Sequence, residues 1–312
     1  MEPPAVIPIQ TPHSVSASFL RHLKDERRLS AYTVRNYKKA IHILFLWLKL
    51  EGEASLAPLL SLSAAQARSF VIEQQRKFSR RTIHHYVSAL RSFYRYLIRE
   101  KLIQKNPYAG LFLPKLAKKL PKFLTEKQML LLLDGPKKRL AAGEMSPFES
   151  ARDQLVLELL YGGGLRVSEA AALTYENVDL EHQALSIVGK GNKERICPIG
   201  PLACEALKVF KATLSFEPSP KSILLIHANE KPLGVRGVQN VLKTYLKLAQ
   251  LPADITPHKI RHSYATHLLN RGIDLRVLQK LLGHNSLSAT QVYTHLDMNH
   301  LKKVHHLAHP RA

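Results

Sequence analysis

The sequence predicts a mainly α-helical protein with one small antiparallel β-sheet, arranged as an all-helical domain followed by an α+β domain. Three observations carry this. From Pro12 to about Asn106, apolar residues recur every three or four positions, as in Tyr37, Ile41, Leu44 and Leu48, or Tyr86, Leu90, Phe93 and Leu97, the period of an amphipathic helix. Farther on, ALSIVG and ERICPI are rich in strand formers and flank KGNK, which reads as a β-hairpin over residues 184–199. Between these regions, LPKLAKKLPKFLT at residues 113–125 holds two helix-interrupting prolines and several lysines. The expected organisation is a helical domain at 1–113, a basic linker at 114–124 and a second domain at 125–312.

Each element has a local signal. Ser30, Ser63 and Ser79 precede helical stretches, where a hydroxyl accepts from free backbone amides, while Gly52 and Asn106-Pro107 read as stops, so four main helices fit the first domain. Thr125 and Gln128 form a capping box ahead of the apolar run MLLLLD. The segment ARDQLVLELLYGGGLRVSEAAAL is helical on both sides of a glycine-rich break, and residues 223–227, ILLIH, are expected to add a third strand. Thr256-Pro257 open a helix that runs to Asn270 and stops at Gly272, and Asp274 caps the next, which Gly283 ends. Leu296, Leu301, Val304 and Leu307 keep helical spacing and point to a terminal helix over about 297–312.

Charge narrows the partner. The chain carries 46 Lys+Arg against 24 Asp+Glu, a formal net charge of +22, the electrostatic footprint of a polyanion binder. Residues 1–124 hold 22 basic and 7 acidic side chains, so the first third is the expected grip on phosphates. Its candidates are Arg76, Lys77, Arg80 and Arg81, with Lys118 and Lys119 in the linker. No apolar run approaches a membrane span and no export signal opens the sequence, so a cytoplasmic protein is expected. Cys197 and Cys204 are too few for a disulfide framework and read as ordinary thiols.

The second domain lines up Arg166, Lys190, His258, Arg261 and His284 ahead of Tyr293. A phosphodiester under attack by an oxygen nucleophile gains charge at its non-bridging oxygens, and fixed cationic donors stabilise it. Arginine's planar fork suits two such oxygens at once, lysine or histidine can protonate a departing sugar oxygen, and a phenol attacks only once relieved of its proton. Lys193 competes with Lys190 on the same hairpin, and His262 and His267 compete with His258 on the same helix. The pair His258 and His262 has metal-ligand spacing, but the glutamate of a zinc-peptidase motif is missing, and neither a metal nor a cofactor is expected.

The ordered set GGLRVSE, VGKGNKER, HKIRHSYATHLL, LLGH and TQVYTH resembles the tyrosine recombinase and integrase family, and within it the bacterial XerC/XerD type, with a terminal YTHLD to HPRA pattern closer to XerC. The resemblance spans the second domain from about Leu124 and extends less distinctly over the first. It departs in Ile260, where leucine is usual, in the extra Gly163, and in the stretch from Gly135 to Ser150, which is longer than a minimal member needs. The resemblance implies two domains clamped around duplex DNA, with Arg166 and Arg261 holding the phosphate and Tyr293 as nucleophile. It makes Lys190 the general acid, His258 the acid/base partner of the tyrosine, His284 a phosphate donor and Glu169 an orienting carboxylate. A 3′-phosphotyrosine link formed without metal or ATP, a tetramer of this chain with itself or a paralogous recombinase, terminal helices docked between protomers, resolution of chromosome dimers and regulation by a septal DNA translocase are likewise implied. Rival expectations are a mobile-element integrase, a type IB topoisomerase-like enzyme and a non-catalytic DNA-binding protein.

Overall fold

Hydroxyl caps and apolar stripes fix the helices of the first part of the chain. In the computed structural model, whose described residues are 11–50, 55–114, 123–189, 194–283 and 308–311, α1 (Pro12–Asp25), α2 (Ala31–Trp47), α3 (Ala57–Leu60), α4 (Ala64–Gln75) and α5 (Arg80–Arg99) lie in a compact unit at residues 1–119. Ser30, Ser63 and Ser79 cap α2, α4 and α5 as expected, each accepting from the amide three residues on. The four longer helices match those predicted, and α3 adds a single turn. Helix α5 ends at Arg99 rather than at Asn106-Pro107, because Lys101 takes a left-handed backbone (φ 57°) that stops it first. Gly52 lies outside the described residues. One face of α5 buries Ile83, Tyr86, Leu90, Phe93 and Leu97 against Phe19, Ile41 and Leu44, whereas Arg76, Lys77, Arg80 and Arg81 stay exposed.

The second unit, residues 120–312, contains α6 (Glu126–Leu133), α7 (Gly135–Ala141), α8 (Pro147–Tyr161), α9 (Val167–Ala172), β1 (Val178–Asp179), β2 (Ala184–Val188), β3 (Glu194–Pro198), α10 (Pro201–Ala212), α11 (Gly234–Leu248), α12 (Pro257–Asn270) and α13 (Leu275–Leu282). Helix α8 is buried on nearly every side and packs against α10 and α12, and its buried carboxylates are paired, Asp153 with the Tyr245 hydroxyl and Glu158 with Arg311. The predicted hairpin is present: β2 and β3 pair antiparallel with Leu185 opposite Cys197 and Ile187 opposite Arg195. The third strand differs from the expectation. It is the two-residue β1, paired with β2, whereas residues 223–227 form only isolated bridges at Ile223 and Ile226. Their Leu224 and Leu225 are buried, and the Leu224 amide and Leu225 carbonyl bond to Leu173 and Leu233, so core filling rather than a ladder explains the apolar run. No described helix is long and apolar enough to cross a membrane.

Candidate active site

The glycine-rich break between α8 and α9 shapes the site. Gly164 has φ +56°, and a Cβ there would come within 2.7 Å of Tyr264 Cδ1, so both backbone conformation and packing require glycine. The turn delivers Arg166 to the N-cap of α9 in an extended conformation. Glu169, at the third helical position, reaches back so that its Oε2 accepts from the Arg166 amide at 2.8 Å, while Oε1 accepts from Arg166 Nη1 at 2.8 Å. This is a capping geometry, and it ties the orientation of the arginine to that of the carboxylate.

Two more guanidiniums converge on the same carboxylate. Arg195, from β3, donates Nη1 to Glu169 Oε1 at 2.9 Å and Nη2 to Oε2 at 2.8 Å, a fork-to-fork pair. Arg261, from α12, lies 3.8 Å from Oε2 and donates Nη1 to the Gly164 carbonyl at 2.6 Å and Nη2 to the Leu282 carbonyl. Side chains of Glu169, Arg195 and Arg261 are 5%, 7% and 7% exposed, whereas that of Arg166 is 41% exposed. Three cations therefore surround one anion, and the most accessible of them is Arg166.

The electrostatics follow from that count. Burial pushes the Glu169 carboxyl upward, but hydrogen bonds from Arg195 and the Arg166 amide outweigh it and hold the group at about 2, ionised at any working pH. Burial, with Arg166 next in weight, lowers Arg261 to about 10, which still leaves it charged at neutral pH. The Cys197 thiol, donating to the Gly163 carbonyl at 3.0 Å, is pushed up to about 11 by burial and stays neutral. A net positive, rigidly held recess of this kind suits an oxyanion or phosphate.

Arg166, Glu169 and Arg261 are thus brought together. His258 sits in the first turn of α12 and is exposed, unlike Arg261 one turn on. Its rivals separate from it: His262 meets the ring of Phe123 edge-on, and buried His267 pairs Nδ1 with the Tyr161 hydroxyl at 2.8 Å. Lys190, Lys193, His284, Tyr293, Lys118 and Lys119 lie outside the described residues. The Gly283 carbonyl, just before His284, lies 3.4 Å from Arg166 Nη2. Among the described residues of the terminal segment, Arg311 pairs with buried Glu158 and the His309 ring rests 4.9 Å from Tyr161 and 5.3 Å from Tyr264, all within the second unit.

The sequence reading passed over Arg195. The alternation of β3 puts Arg195 and Cys197 on the buried face, and a buried arginine demands a carboxylate partner. That period-two placement was the available signal.

Comparison with known proteins gives the family and the fold. Residues 122–300 match the model of the Phage integrase family, and residues 17–101 that of the Phage integrase, N-terminal SAM-like domain. The tyrosine recombinase XerC of Bacillus subtilis (strain 168) is 39% identical over 300 residues, covering 94% of this chain and 95% of that protein. The tyrosine recombinase XerC of Alcanivorax borkumensis is 40% identical over 300 residues, covering 95% and 93%. Among solved structures, a lambda integrase dimer bound to a COC′ core site has a TM-score of 0.67 at 19% identity, covering 90% of this chain and 99% of that one, a likeness of fold.

Proposed function

The chain belongs to the phage integrase family of tyrosine recombinases, and from that membership we propose that it is a site-specific recombinase of the XerC type that cuts and rejoins duplex DNA through a 3′-phosphotyrosine. The observation that carries the site assignment is the Glu169-centred cluster, which holds Arg166 and Arg261 as a pair of fixed donors with Arg166 reaching solvent.

In the proposed reaction the Tyr293 oxygen attacks the scissile phosphorus as its proton passes to His258. The new O–P bond forms while the bond from phosphorus to the 5′ oxygen breaks, and Lys190 gives that oxygen its proton. Arg166, Arg261 and His284 stabilise the non-bridging oxygens, on which charge builds in the transition state. The phosphotyrosine conserves the energy of the broken ester, so a 5′ hydroxyl from a partner strand reverses the step without ATP. The cation set meets the phosphate's charge by itself, and the reaction needs no metal.

The first unit, with Arg76, Lys77, Arg80 and Arg81 exposed, and the linker lysines Lys118 and Lys119 serve as the general grip on DNA, while residues 125–312 carry out the chemistry. Four protomers, of this chain alone or with a paralogous recombinase, exchange strands in two steps through a Holliday junction, with the terminal segment ahead of residue 308 docking onto a neighbour while His309 and Arg311 anchor its end on their own unit. The task is resolution of chromosome dimers at cell division, in the cytoplasm, under a septal DNA translocase. XerC relatives over 94% of the chain support this assignment.

Trapping tests it. Nicked duplexes bearing the host's dimer-resolution site are incubated in chelator with wild type or Tyr293→Phe and run on denaturing gels. A covalent adduct with wild type alone is expected. Adduct formation by Tyr293→Phe would misplace the nucleophile, and supercoil relaxation without recombinant products would assign the chemistry to a topoisomerase-like role.

A further inference from the structure

Arg195 belongs to neither the phosphate-facing set nor the ordinary core. It lies on β3 opposite Ile187 of β2, one residue after the strand begins at Glu194. Its guanidinium takes both oxygens of Glu169, and its stem supports a second element. Gly283, which ends α13 with φ +60°, sits so close that a Cβ there would meet Arg195 Cδ at 2.7 Å. Three separate segments therefore register on one side chain: the hairpin root, the α9 start that carries Arg166, and the α13 end whose carbonyls accept from Arg166 and Arg261.

Charge adds a second reason. A carboxylate that orients Arg166 also cancels its charge, and a neutral pair is a poor partner for a phosphate. A second buried arginine on the same carboxylate restores the balance, so that Glu169 can hold Arg166 in place without neutralising the recess. A lysine would supply charge but not the parallel donors that fix both oxygens at once.

We propose that Arg195 is a positioning residue for the phosphate clamp, acting through Glu169 on Arg166 and through Gly283 on the end of α13. The inference rests on the reading of Arg166 and Arg261 as the clamp. Its test is single-turnover strand cleavage at saturating DNA by wild type, Arg195→Lys, Arg195→Ala and Arg166→Ala, on nicked duplexes whose scissile linkage is either an ordinary phosphate or a methylphosphonate. The methylphosphonate has lost the negative charge that the clamp meets, so a clamp defect matters less on it. Arg195→Lys carries the test even where Arg195→Ala fails to fold, because it keeps a buried cation beside Glu169.

The expected result is unchanged DNA affinity, a loss of about 100-fold or more on the phosphate for Arg195→Lys, and a loss of less than about tenfold on the methylphosphonate, the pattern of Arg166→Ala. Wild-type cleavage of the phosphate by Arg195→Lys would overturn the proposal. So would an equal loss on both linkages, which marks general damage to the fold. Absence of Tyr293-dependent cleavage in the wild type would instead overturn the underlying reading, and the inference with it.

Discussion

In the first unit, Arg76, Lys77, Arg80 and Arg81 stand exposed around the start of α5, whose opposite face is packed apolar core, whereas in the second unit Arg195 and Arg261 are sunk beneath the surface around Glu169. Both regions are cationic, and on the proposed function both meet phosphate. The exposed cations keep their water and rotamer freedom, so each adds a small, interchangeable attraction. The buried ones have paid for desolvation through a shared carboxylate and backbone carbonyls, and their geometry is set before any ligand arrives. The contrast teaches that charge alone does not separate binding from catalysis; the partner that immobilises the charge does.

The sharpest way to break this comparison is Arg261→Ala. If the buried cations serve the transition state, cleavage falls by about 10³-fold or more with affinity nearly intact. Single-turnover kinetics beside a binding titration read the two separately, and a loss confined to affinity would make Arg261 equivalent to the surface cations.

A smaller effect comes from Glu169 and acid. Its folded-state carboxyl, at about 2, lies below the ordinary value of 4.5, so the stability it contributes is fully present above about pH 4.5 and is lost as pH falls toward 2. That amounts to roughly 3 kcal/mol at most. Scanning calorimetry from pH 6 to pH 3 should show the larger part of this loss in wild type, and a lower but flatter profile in Glu169→Gln, which leaves Arg195 without its counter-charge. Parallel profiles would remove Glu169 from the centre of the cluster.

The smallest effect belongs to the first unit. Arg80→Ala or Arg81→Ala should each weaken DNA binding by no more than about fivefold and leave the cleavage rate of bound DNA unchanged. A large rate effect from either would place these cations in the chemistry and erase the distinction.

Much of this was legible in the sequence because it is written in local signals. Serine caps, the Thr125–Gln128 box and the Thr256-Pro257 start each satisfy amides within a few residues, and the structure keeps all of them. The Arg166–Glu169 bond is equally local, three residues apart on one turn. What escaped were contacts between distant segments. Arg195 and Glu169 are 26 positions apart, and only the fold brings them together. Residues 223–227 look like a strand by composition, yet Pro232 removes a ladder donor and burial of Leu224 and Leu225 alone accounts for their apolar character. The two-residue β1 is too short to leave a pattern at all.

The burial of Glu169 has a consequence for how the protein meets its surroundings. Dissolved ions screen charges at the surface over about 8 Å in physiological salt, but they screen far less the pairs that Glu169 makes with Arg195 and Arg261, which are sealed from solvent and hold the exposed Arg166 in place. Rising ionic strength therefore loosens the protein from DNA while leaving the clamp as it was, so any slowing of turnover in concentrated electrolyte reports on recruitment and not on the chemical step. A cell that shifts its internal potassium would change how often the protein engages DNA, and each engagement, once made, would proceed with the same competence.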